Sequence, residues 1–186
     1  HRVHATGFNH ACTRLQLATP DLTQQDSNLL LPLWAGMVPA DHKPHLLRTI
    51  IDPMRYWRRF GIPVCAATAS AYQTQPANRT VSVAKNSLIG AGLLAAGKQR
   101  ETAVLVQRLM RAICHTLRQE NCFRHAYWAD EPGGTGSANH PGGLAPFQLF
   151  LACVGVKIVS RDEVILSGDN LFPWPVTISR HGVVVT

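Results

Sequence analysis

Residues 100–120 constrain this chain more than any other stretch. Val104, Leu105, Leu109, Ile113 and Leu117 recur there at helical spacing, with arginines on the opposite side. A stripe of that period buries one face of a helix about 30 Å long. Residues 83–96 come just before it and are rich in small side chains: Ala84, Gly90, Ala91, Gly92, Ala95 and Ala96. That composition predicts a second helix, which neighbours can approach closely in a crowded interior.

The rest of the chain is organised around these two helices. Asp26, Ser27 and Asn28 stand before an apolar run from Leu29 to Leu33, which reads as a polar-capped helix start, and the helix stops near Gly36. Leu46, Leu47, Ile50 and Ile51 mark another helix, ended by Pro53. Residues 62–80 lack steady periodicity and contain Pro63 and Pro76, so they read as a long loop, and loops of that length tend to be functional. Residues 122–143 form a second irregular stretch with several glycines, and 144–154 return to helix. The tail changes period. Short strands are expected over 156–159, 164–166, 176–178 and 183–185, separated by Gly168 and by Pro173-Trp174-Pro175. The expected division is a helical portion over 1–155 and a small β tail over 156–186.

Composition narrows the function classes. Hydrophobic residues make up 46% and charged residues 16% of the 186 positions, which fits one globular domain and not a disordered chain. No apolar run is long enough to span a bilayer, and the opening residues show no signal-peptide pattern. The net charge is +7, but the 18 lysines and arginines are spread along the chain, with only a local cluster at Arg55, Arg58 and Arg59. A nucleic-acid surface concentrates its charge on a stripe, so a solvated basic helix face is the expectation here. The five cysteines include no CxxC pair, and the nine histidines show no HxH or HxxxH spacing. Reduced thiols, no metal site, no cofactor and a cytoplasmic setting follow as expectations.

Four segments, taken in order, resemble a known family. They are 29–36 (LLLPLWAG), 60–63 (FGIP), 143–150 (GLAPFQLF) and 172–178 (FPWPVTI). Their set and spacing resemble the C-terminal half of bacterial six-hairpin glycosidases: the trehalase, processing α-glucosidase and mannosylglycerate hydrolase-like proteins. The resemblance implies a mainly α fold, part of an (α/α)6 toroid, followed by the short β tail. It also implies that the N-terminal half of the toroid is a missing partner.

The implied activity is inverting hydrolysis of an α-glucoside-type carbohydrate, with a binding-only relative as the alternative. Inversion uses one carboxylic acid and one carboxylate, roughly 6.5–9.5 Å apart to admit a water. In the family the acid is an aspartate from the other half, and the base is a glutamate at the third position of a segment like 123–127. His125 stands at that position here. An imidazole can accept a proton from water but supplies no negative charge to an oxocarbenium ion. Asp130 and Glu131, just beyond, are the carboxylates that could replace it. By the same resemblance Asn86 is expected to hydrogen-bond a sugar hydroxyl, while Ser82 stands where relatives tend to carry a tryptophan. Trp34 reads either as a sugar platform or as a core residue beside Leu33. Tyr127 and Trp128 fall in the expected pocket loop, and His140 either orients that loop or touches substrate.

Overall fold

The computed structural model describes residues 25–158, 160, 163–180 and 183–185. Cys12, the opening residues and Val159 of the expected tail strand lie outside the described residues.

The chain enters through a 3-10 turn, Ser27–Leu30, that runs into helix α1, Leu31–Trp34. The Asp26 carboxylate caps this start by accepting from the Asn28 N–H at 2.6 Å. Helix α2 spans Lys43–Ile50 and helix α3 spans Ser70–Thr74; strand β1, Thr80–Val81, follows. Helix α4, Val83–Ala95, is capped by the Ser82 hydroxyl, which accepts from the Lys85 N–H at 3.3 Å. The residue at the expected tryptophan position is therefore a helix cap. Helix α4 ends in a left-handed Gly97, with Lys98 N–H donating to Leu93 O and Gly97 N–H to Leu94 O. This pair of bonds is the Schellman closure, and it turns the chain directly into helix α5, Gln99–Glu120.

Helices α4 and α5 carry the core. Leu30, Leu33, Ile50, Ile62, Val81, Ile89, Leu93, Leu105 and Leu109 form one buried cluster. The buried side of α5 is Thr102, Ala103, Leu105, Val106, Leu109, Ala112, Ile113 and Thr116. Val104 and Leu117 from the expected stripe are each 37% exposed. The true face is rotated slightly because α5 packs on both α4 and α6 (Phe147–Cys153). The small residues of α4 act as the sequence suggests. A Cβ on Gly92 would stand 2.7 Å from the Trp34 backbone nitrogen, so α1 rests directly on the α4 backbone.

The (α/α)6 toroid is overturned. The described residues form a small α+β protein with six α-helices and antiparallel sheets. Only α4 and α5 are long. The other helices have four to eight residues, about 6–12 Å each, which is too short to build two concentric helical layers. Moreover, part of the stretch read as irregular is a β-hairpin. Strand β2, Arg124–Trp128, pairs with β1 on one side and with β3, Gly134–Ala138, on the other. Between the Arg124↔Ala138 and Ala126↔Thr135 pairs, Gly136 and Ser137 together face His125. Gly136 has φ +81°, which suits it to this bulge. The tail forms two further antiparallel pairs: β4 (Val156–Ile158) with β5 (Val164–Leu166), and β6 (Ile178–Arg180) with β7 (Val183–Val185). Among the described residues no helix is long and apolar enough to cross a membrane.

The contact between α1 and α4 yields a test. Gly92→Ala is expected to destabilise the protein by about 1–3 kcal/mol, because backbone stands in the way of the added methyl. Gly90→Ala meets side chains alone, the end of Leu149 at 2.5 Å, which must move, and Leu105 at 3.5 Å, and it gains helix propensity, so its change is expected to stay within about 1 kcal/mol. Urea-denaturation midpoints of the two variants check the ordering.

Candidate functional site

The loop after α2, helix α3 and the far end of the β2–β3 hairpin enclose an open cavity of about 580 Å³. Arg58, Tyr72, Arg79, Trp128, Asp130 and Glu131 contribute to its wall. Its geometry starts from buried backbone anchoring. Phe60 N–H donates to Ala129 O and Ala129 N–H to Arg79 O, both at 2.9 Å. The segment before Phe60, the strand leading from Arg79 and the end of β2 are thereby held side by side.

Asp130 is the most connected side chain of the cavity. Its Oδ1 accepts from Arg58 Nε at 2.6 Å, and its Oδ2 accepts from the Tyr72 hydroxyl. Arg58 also donates to Pro53 O at 2.7 Å, which fixes the guanidinium plane. The Asp130 bond raises the Arg58 pKa further above its ordinary range. Burial, and then the bond to Asp130, push the Tyr72 phenol upward, so it stays a donor. The Arg58–Asp130 side chains are 27% and 41% exposed, so the pair adds little net stability; it orients the carboxylate. Arg79 donates to the carbonyls of Tyr72 and Gln73 and closes the end of α3. Among the described residues no hydrogen bond or ion pair engages Glu131, the second carboxylate of the cavity. Trp128 is half-buried in the same wall.

The remaining residues expected at a site fall elsewhere. His125 is exposed on β2 and packs on His140, with ring centroids 4.2 Å apart. His140 Nδ1 accepts from Gly142 N–H at 3.0 Å and caps the 3-10 turn Pro141–Gly143. Tyr127 is fully buried and donates its hydroxyl to Gly143 O at 2.8 Å. At Gly143 itself, a Cβ would collide with the Arg124 carbonyl. His125, His140 and Tyr127 thus meet along one turn, and His125 is not among the residues lining the cavity of Asp130 and Glu131. Trp34 is 51% exposed on α1, also away from that cavity.

Asn86 is 1% exposed and tied to backbone. Its Oδ1 accepts from Ile62 N–H and its Nδ2 donates to Ile62 O, both at 2.8 Å, with a further bond to Ser82 O at 2.9 Å. Among the described residues no group of three or more His, Cys, Asp or Glu side chains is disposed to hold a metal ion.

Sequence reasoning missed Arg58, Tyr72 and Arg79. Arg58 reads as part of a solvated basic cluster, and Tyr72 falls in the expected long loop over 62–80, where the structure forms helix α3 instead. The length of that loop was the one signal pointing to it.

The Asn86 geometry yields a stability prediction. Asn86→Ala leaves the N–H and C=O of Ile62 unpaired in the core and is expected to cost about 2–4 kcal/mol. Thermal denaturation followed by circular dichroism measures the loss; an unchanged midpoint would contradict the structural role. No family model matches the chain and no curated protein matches it.

Proposed function

We propose that this chain binds a small saccharide of the α-glucoside type in the cavity lined by Trp128, Asp130 and Glu131. One observation carries the reading: an indole and two carboxylates line the same open cavity, with one carboxylate held in place by Arg58 and Tyr72. Sugar rings present an apolar C–H face and a rim of hydroxyls. Trp128 supplies a surface for the first, and Glu131, Asp130 and Arg58 supply acceptors and donors for the second. The resemblance of residues 29–36, 60–63, 143–150 and 172–178 to glycosidases supports the ligand class. A cytoplasmic setting belongs to the same reading, supported by the free thiols of Cys65, Cys114, Cys122 and Cys153.

Inverting hydrolysis is the second reading, favoured by the unengaged carboxylate of Glu131, which is free to activate a water. Binding is preferred because inversion requires two available carboxyl groups on opposite sides of the bond. Both Asp130 oxygens are already engaged, and His125 does not line the cavity.

Calorimetric titration with trehalose and maltose tests the proposal. Saturable binding is expected, and Trp128→Ala is expected to weaken it at least about tenfold, or about 1.4 kcal/mol. Binding unaffected by Trp128→Ala would overturn the assignment. Glucose release is expected to stay at background, and His125→Glu to leave it there. If release is measurable, the second reading requires Glu131→Gln to lower it by about 10²–10⁴-fold.

A further inference from the structure

Helix α5 presents a basic face beside an aromatic wall. Arg111, His115 and Arg118 stand four and three residues apart, on one side of the helix. Opposite them, Phe147 and Phe150 of α6 and Trp174 of the tail close an open groove of about 730 Å³. Phe147 is 65% exposed and Trp174 43%. The rings of Phe150, Phe172 and Trp174 pack in series, with centroids 5.0 and 5.2 Å apart, so the aromatic wall is internally braced.

The cationic side of the groove is uncompensated. Among the described residues the side chains of Arg111 and Arg118 have no ion pair or hydrogen bond. The two carboxylates of α5 are engaged elsewhere, Glu101 by Lys98 and Glu120 by Arg124. Exposed aromatic surface beside unpaired arginines is the chemistry of a protein-docking site: the rings gain by losing water, and the guanidinium groups select carboxylates.

We propose that this groove docks an acidic amphipathic helix of a partner protein. Arg111 and Arg118 are seven residues apart, about 10 Å along the helix axis. A partner helix with carboxylates at the same spacing meets both, while its apolar side chains lie over Phe147, Phe150 and Trp174. A second copy of this chain is a poor occupant. Among the described helices only α5 carries carboxylates, and both are already paired. The groove is separate from the saccharide cavity, so the two proposals stand or fall independently.

The test uses the whole chain and a fluorescein-labelled synthetic helical peptide, with leucines along one face and glutamates seven residues apart beside them. Fluorescence anisotropy is expected to show saturable binding that weakens with added salt. The same peptide with lysines in place of the glutamates is expected not to bind. Arg111→Gln and Arg118→Gln are each expected to weaken binding about two- to fivefold. Phe147→Ala is expected to weaken it at least about tenfold. All three positions are exposed, and unchanged thermal melting confirms that the variants fold. Three outcomes overturn the proposal: no binding of the acidic peptide, equal binding of the lysine peptide, or binding indifferent to these substitutions. Concentration-dependent self-association in sedimentation, abolished by Phe147→Ala, assigns the groove to a second copy and overturns it as well.

Discussion

The Asn86 side chain holds both the N–H and the C=O of Ile62 inside the core. It gives an irregular segment the two bonds that a neighbouring strand would otherwise supply. The polar groups of a buried loop need partners, and here one side chain on α4 provides them. The requirement propagates locally. Gly61 has φ +136°, and a Cβ there would press on Val81, Leu109 and the Asn86 oxygen. The backbone beside Ile62 therefore lies flat between the first strand and the long helix. Phe60, two residues before Ile62, is then in position to bond Ala129.

That anchoring explains why a cavity forms beside the end of β2. Ala129 is buried and bonded on both sides, while Asp130 and Glu131 immediately after it emerge toward solvent. Arg58 and Tyr72 reach Asp130 from elements 72 and 58 residues away in sequence. The part-exposed ion pair with Arg58 adds little by itself, while the hydroxyl of the buried Tyr72 adds a charge-assisted hydrogen bond. Their effect is to fix one carboxylate while leaving the next one unengaged. This asymmetry supports the preference for binding over hydrolysis, because two available carboxyl groups are what inversion needs.

The long helices were legible because their patterns are local. Residues 83–96 and 100–120 carry their helix signal in spacing and small-residue content, and the observed helices match them closely. The tail strands over 156–158 and 164–166 were legible for the same reason. Strand β3, with the sequence GTGSA, carries no apolar alternation at all; its identity comes from pairing with β2 and from the bulge at Gly136. The toroid was inferred from short resemblances spread along the chain, and those segments do not encode how long each helix becomes. Asn86 shows a different limit. The resemblance points to a sugar ligand, but the residue is 1% exposed and its side chain is bonded to backbone, and nothing local in the sequence encodes that burial. Asp130 and Glu131 were visible as carboxylates, but their unequal engagement depends on distant Arg58 and Tyr72.

The central claim is that one cavity, bounded by Trp128, Asp130 and Glu131, receives a saccharide. The most direct measurement is a ¹H–¹⁵N chemical-shift titration of the labelled chain with an α-linked glucose disaccharide. The account predicts saturable shifts of the Trp128 indole N–H and of the Tyr72, Asp130 and Glu131 amides, with His125, His140 and Trp34 unmoved. Shifts confined to His125, His140 and Gly142, or no saturable shift at all, would contradict it.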